Sequence, residues 1–195
     1  MLLSSLLVLV ALLLVGLGAY ATFTSTASDS QSVTTGTVVI ALGATGSSTN
    51  RLTVNASGVA SGDTIQRSFD LTNQGSLNLT SVTLTTTATT SSLLDTDSTN
   101  GLQMVIDSCS VAWTEAGSAP AYTYTCSGTT SSVLASRPAI GSNLALANLG
   151  SLTAGATDHL RLTLTLPVSA GNTFQNLTST LQYSFTGTQR APTNQ

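Results

Sequence analysis

The sequence predicts an all-β chain, a two-sheet sandwich of the jelly-roll kind following an N-terminal signal peptide, and three observations carry that prediction. Charged residues make up only 7% of the 195 residues and aromatics 5%, so Thr, Ser, Gly, Ala, Leu and Val dominate the chain. Thr and Val favour strands, while Ser and Gly favour turns. Short segments alternate apolar and polar residues with a period of two, and turn chemistry separates them. The length, less a signal, suits a single domain able to bury a sizeable core. Many short strands at regular spacing in a chain of this size point to a sandwich.

The chain begins with an unbroken apolar run, Leu6 to Val15, followed by Gly16-Leu17-Gly18 and then Ala19-Tyr20-Ala21, after which it turns polar. That is the shape of an export signal, with the small residues Ala19 and Ala21 placing cleavage before Thr22. A membrane anchor is the competing reading, because Leu2 to Ala21 is nearly long enough to span a bilayer. The two glycines, the small-x-small exit and the lack of a basic cluster beyond it favour cleavage. No Lys or Arg precedes the apolar run, a departure from the usual signal. The expected organisation is a signal over 1–21, an N-terminal segment over 22–35, the sandwich over 36–189 and a polar tail over 190–195, in a protein secreted to the cell surface or extracellular matrix.

Thr22 to Thr35 is polar and short in side chains, so it is either a disordered leader or a strand in need of a partner. Thr37 to Leu42 reads as the first strand, followed by a Gly/Ser/Thr loop. Arg51 to Ala56 alternates Leu52, Val54 and Ala56 with polar neighbours and reads as a strand. Ser61-Gly62-Asp63 turns the chain into Ile65 to Asn73, with Phe69 and Leu71 on one face, and Gln74-Gly75-Ser76 closes it. Leu77 to Thr87 keeps period two except for a slip between Leu79 and Val82, which predicts a bulge or a bend rather than a helix.

Ser91 to Gly101 reads as a polar connection whose Asp95 and Asp97, like Asp107, are solvated carboxylates without the spacing of a calcium loop. Strands are expected over Leu102 to Ile106, Ser110 to Trp113 and Tyr122 to Cys126, in a hairpin that brings Cys109 near Cys126. Ser127 to Asn143 reads as loop-rich, and Leu144 to Leu152 as ambiguous with room for a helical turn. His159 to Leu166 is the clearest strand, with Leu160, Leu162, Leu164 and Leu166 in strict alternation before Pro167. Leu177 to Phe185 is the last.

The net charge of -3 argues against a nucleic-acid partner, which calls for a basic face. The chain has no lysine. A polymer crosslinked or stapled through lysine side chains is therefore excluded. Cys109 and Cys126 are the only cysteines; in an exported chain a disulfide between them is the favoured state, contributing about 3 kcal/mol by loop closure. Two free buried thiols are the alternative, and a metal site lacks nearby histidine.

Several patches of the sequence resemble one known family. Gly18-Ala19-Tyr20-Ala21-Thr22-Phe23 is followed by Thr35-Gly36-Thr37-Val38, then by Gly62-Asp63 with Phe69, Asn73, Gly75, Ser76 and Leu77. Near the end come Asn172-Thr173-Phe174-Gln175-Asn176 and Leu181-Gln182-Tyr183-Ser184-Phe185. In this order they are similar to the TasA and camelysin family of exported fibre proteins, whose signal is cut by a dedicated, SipW-type signal peptidase. The resemblance implies a jelly-roll domain that polymerises by donating its freed N-terminus to a neighbouring copy, with Phe23, Ser25, Ala27 and Val33 as donor residues. The partners so implied are further copies of the chain, the signal peptidase, and anchor or matrix proteins.

Camelysin-like relatives have been classed as metallopeptidases, so an enzymatic reading must be weighed. A zinc hydrolase needs three protein ligands, usually with paired histidines, and this chain has one histidine. His159 is expected to be a solvated strand-end residue. No Gly-x-Ser-x-Gly elbow is present, and a disulfide would consume the thiols. The sequence therefore predicts a structural protein rather than an enzyme, with no catalytic residue, metal or cofactor. A monomeric adhesin or ligand-binding domain is the alternative, with Trp113, Tyr122 and Tyr124 as either an aromatic patch or packing around the disulfide. The sequons at Asn55, Asn78 and Asn176 carry little weight in so Thr-rich a chain.

Overall fold

The computed structural model describes residues 35–191, apart from Val54 and Ser57. The expected cleavage residues Ala19, Ala21 and Thr22 and the expected donor residues Phe23, Ser25, Ala27 and Val33 lie outside the described residues. Gly36–Gln195 is one compact unit.

Its elements are β1 (Ile40–Leu42), β2 (Thr64–Asn73), β3 (Leu79–Thr90), a short helix α1 (Leu93–Thr96), β4 (Gln103–Cys109), β5 (Thr114–Ser118), β6 (Ala121–Thr125), β7 (Thr130–Pro138), β8 (Gly141–Ala145), β9 (Thr157–Thr165) and β10 (Thr180–Gln189). A five-stranded sheet runs β1-β2-β9-β4-β7, a three-stranded sheet runs β10-β3-β8, and β5 and β6 form a separate hairpin. The chain crosses between the two larger sheets at β2 to β3, β3 to β4, β7 to β8, β8 to β9 and β9 to β10, the alternation of a jelly-roll sandwich. All the pairings are antiparallel.

β9 sits at the centre of the larger sheet, paired with β2 on one side and β4 on the other. Leu160 lies opposite Phe69 on β2, and Leu162 opposite Ile106 on β4. Leu160, Phe69, Leu84, Met104 and Ile106 are 0% exposed, so both sheets contribute to one core. Each such side chain contributes about 1.5–3 kcal/mol by leaving water. The slip expected after Leu79 is a register shift on β3, where Leu79 pairs with Gln189 but Ser81 with Thr188.

Four local expectations are corrected. Arg51 to Ala56 is not a strand: Asn50 makes a lone bridge to Phe69, and its carboxamide oxygen then accepts the Leu52 amide, turning the chain away. Ser110 to Trp113 is not a strand either; β4 runs on to Cys109, and pairing resumes only at Thr114. The stretch read as loop-rich, Ser127 to Asn143, holds β7 and most of β8. β7 buries only Val133 and Leu134 fully, so its Ser/Thr-rich pattern is held by pairing with β4 rather than by a visible apolar face. The polar connection after β3 contains α1, capped by a reciprocal Ser92–Asp95 box.

Asp95 is accordingly no solvated loop carboxylate. It is buried, and accepts from the Ser91 hydroxyl at 2.7 Å, the Ser92 amide at 2.7 Å and the Ser179 hydroxyl at 2.5 Å. Burial by itself would raise its pKa; the hydrogen bonds from Ser179, Ser92 and Ser91 outweigh it and hold the carboxyl below its ordinary value.

Candidate functional site

The residues that carry the family resemblance converge on two structural features. The first is the turn after β2, which clips the start of the domain. Asn73 is fully buried; its Nδ2 donates to the Leu77 carbonyl at 3.0 Å and its Oδ1 accepts the Gly75 amide at 3.0 Å. The turn so shaped offers the Gln74 amide to the Val39 carbonyl at 2.8 Å and the Ser76 amide to the Thr37 carbonyl at 3.0 Å. The Thr37 amide donates in return to the Ser76 hydroxyl at 2.9 Å. Gly75 is required there because a Cβ would collide with the backbone of Thr37 and Val39. A Cβ on Gly36 would likewise meet the Leu77 side chain.

The second feature is a seam between β10, an edge of the smaller sheet, and β1 and β2, an edge of the larger. Phe185 on β10 and Phe69 on β2 meet with ring centroids 5.3 Å apart. Gly187 leaves room for the Ile40 side chain. Along β10 the inward residues Leu181, Tyr183 and Phe185 are only half-buried, as are Ile40 and Ile65 across from them and Leu52 and Val59 in the loop between. Among the described residues no strand pairs with the outer edge of β10 over its 10 residues. Gly62, with φ 94°, turns the chain into β2; its amide donates to Leu166, and Asp63 accepts the Ala60 amide at 2.8 Å. Phe174 is buried in a 3-10 turn ahead of β10, whereas Gln175 is exposed and touches Asn172.

A charged side chain, Arg67, borders this seam. Arg67 shares the core-facing parity of β2 with Ile65, Phe69 and Leu71 and is 3% exposed. Its guanidinium donates to the carbonyls of Gln66 at 2.6 Å and Asn55 at 3.3 Å, and lies 5.8 Å from the Tyr122 ring centre. Burial pushes the Arg67 pKa down from its ordinary value. Burial also pushes the Tyr183 phenol up, and the Arg67 charge opposes that rise. A cavity of about 360 Å³ opens beside Arg67, walled by Val59, Asp63, Ile65, Pro120 and Tyr122 among others.

A polar cluster covers the outer face of the larger sheet, under the β5–β6 hairpin. Arg51 grips Glu115 with Nε to Oε2 at 2.9 Å and Nη2 to Oε1 at 2.6 Å, and the Tyr124 hydroxyl donates to Glu115 at 2.9 Å. The hydrogen bond from Arg51 holds the Glu115 carboxyl below its ordinary value. Trp113 stacks on Arg161 at 4.4 Å and donates from Nε1 to the His159 carbonyl at 3.0 Å, while Arg161 pairs with Asp107 at 3.0 Å. Cys109 and Cys126 are joined in a disulfide that ties β4 to the exit of the hairpin, with Cα atoms 5.8 Å apart. The aromatic trio is thus shared between packing and charge. His159 is not a solvated strand end: it is the third residue of β9, half-buried, with Nδ1 2.8 Å from Asp70 Oδ1.

The family model described as camelysin metallo-endopeptidase matches residues 4–194. The chain belongs to the camelysin family, the family of TasA that the sequence patches resemble. A comparison with individual curated proteins gives no match. The family's description overturns the expectation that the chain is not an enzyme, because it names a metal-dependent endopeptidase.

The donor set can be tested against such a metal. Among the described residues no group of three or more His, Cys, Asp or Glu is placed to hold an ion. The one histidine has its Nδ1 on Asp70, and both cysteines are in the disulfide. These residues do not fit a zinc centre built from protein ligands. Among the described residues no helix is long and apolar enough to cross a membrane.

Proposed function

We propose that this chain is an exported structural subunit that polymerises by donating residues 22–35 to the open seam of the next copy. The observation that carries this reading is the edge of β10, which no strand pairs among the described residues, with Leu181, Tyr183 and Phe185 left half-covered beside β2. A long apolar edge of this kind is a template for another strand, and an inserted strand gains main-chain hydrogen bonds from the edge and side-chain contacts from the seam. The clip at Thr37 supports it as well, since it gives the leader a fixed root on the donating molecule. Release by a signal peptidase before Thr22 frees the segment, and the polymer stands at the cell surface or in the matrix, where anchor or matrix proteins would join it.

The test is assembly of the mature chain compared with a form beginning at Gly36. The shortened form is expected to keep its fold by circular dichroism and to stay monomeric by sedimentation. Polymers of unchanged yield from that form would rule out donation. The family's description favours a second reading, metal-dependent peptide hydrolysis. Cleavage of a casein substrate that stops on adding a chelator and returns with zinc would support it.

A further inference from the structure

The row of residues that crosses the outer face of the larger sheet at His159 brings reactive groups together. Asp70 on β2 and Cys109 on β4 stand directly opposite His159 on β9, one on each side. Asp70 lies between the core residues Phe69 and Leu71, and His159 precedes the core residue Leu160, so the row faces away from the core. Directly opposed residues share a face, with Cβ atoms about 4.5–5.5 Å apart. The order across the sheet is therefore carboxylate, imidazole, sulfur. Nδ1 of the ring is held 2.8 Å from Asp70 Oδ1, which turns Nε2 away from β2, toward the side on which β4 carries Cys109.

The two sulfurs of the bridge are not equivalent. Cys109 is 4% exposed, whereas Cys126 is half-buried and leads into Ser127, Gly128 and Thr129, all exposed. We infer that the Cys109–Cys126 bridge is an exchange site for a small external thiol, with Cys126 as the sulfur attacked and Cys109 as the thiolate expelled beside His159. The incoming thiolate bonds to Cys126 Sγ, the S–S bond breaks, and its electron pair leaves on Cys109 Sγ. The His159 imidazolium meets that charge and passes its Nε2 proton to the sulfur, while Asp70 is the positioning residue that holds the cation in place. A second external thiolate attacks the mixed disulfide at its outer sulfur. The external disulfide departs, Cys126 is left as a thiolate, and the bridge has gained two electrons from the two thiols. The covalent tie between β4 and the exit of the β5–β6 hairpin is then open. The other charges near the imidazole are met elsewhere: Arg161, two residues along β9 on the same face, pairs with Asp107 of β4 and stacks on Trp113, and Glu115 of the hairpin pairs with Arg51.

The test follows reduction of the folded chain by 2-mercaptoethanol from about pH 5 to about pH 9, the range in which histidine titrates. Freed thiols are alkylated and counted by mass spectrometry. The rate constant, referred to the thiolate form of the reagent, is expected to fall about 10-fold with rising pH as the imidazolium loses its proton, because a thiol departs faster when a neighbouring cation lowers its pKa. In His159→Gln it is expected to be low and flat. Asp70→Asn removes the charge that favours the imidazolium, so the fall is expected at lower pH, a displacement that a change in packing alone would not produce. The mixed disulfide trapped early is expected on Cys126. A flat profile in the wild-type chain, which needs no variant to fold, would overturn the inference. So would a wild-type profile from His159→Gln folded by circular dichroism, or a mixed disulfide trapped on Cys109.

Discussion

The two sides of this sandwich are finished differently. Around β9 and β4 the core is closed: Leu160, Met104 and Ile106 are 0% exposed, and β9 and β4 each have neighbours on both sides. At β10 the same alternation of apolar and polar residues leaves Leu181, Tyr183 and Phe185 half-covered on an edge that no strand pairs among the described residues. Equal patterning thus produces a sealed core in one place and an incomplete one in another. The difference lies in whether a neighbouring strand is present among the described residues.

That contrast can be broken by substitution. Leu160→Ala, in the closed core, should cost about 2–5 kcal/mol in chemical denaturation, because the cavity it leaves cannot collapse. Replacing both Cys109 and Cys126 with Ala should cost about 3 kcal/mol by the same measurement, through the freer unfolded chain.

Asp95→Ala should cost about 1–2 kcal/mol by removing the α1 capping box. The native pKa of Asp95 lies below its unfolded value, so its contribution is present above about pH 4 and fades as the pH falls through the native value. Thermal melts from pH 6 to 2 should therefore converge for wild type and Asp95→Asn. A constant gap between them at every pH would remove this account.

Leu181→Ser sharpens the comparison from the open side. It should change the stability of the unassembled protein by less than about 1 kcal/mol, since the side chain is only half-buried before assembly. On the donation reading, sedimentation should nevertheless show weakened polymerisation. A loss as large as that of Leu160→Ala in the monomer would mean the seam is already closed.

Much of the fold was legible because period-two alternation is visible wherever one face of a strand is buried, as at His159 to Leu166. β7 was not legible, because Thr130, Ser131 and Ser132 are exposed on a strand held by its pairing with β4. The false strand at Arg51 to Ala56 fails for the opposite reason: a short alternation carries no information about the Asn50 carboxamide that turns the chain. Of the candidate site, Phe69, Asn73, Gly75 and Phe185 were visible as a pattern, but their joint role in a clip and a seam was not. Arg67 left no mark in the sequence reading; a cation in phase with Ile65, Phe69 and Leu71 was the signal that could have found it.

Local alternation, turn residues and the two cysteines determined by themselves that this chain is β-rich, divided into short strands and able to form one internal bridge. Those features depend on neighbours in sequence, which set which face of a strand is apolar and where the backbone can reverse. Only the tertiary structure decided that β9 lies at the centre, that β10 is left at an edge, and that Arg67 is buried on the core-facing side of β2. Strand order is chosen by contacts between residues distant in the chain, so the edge that remains open follows from how the whole core is shared out.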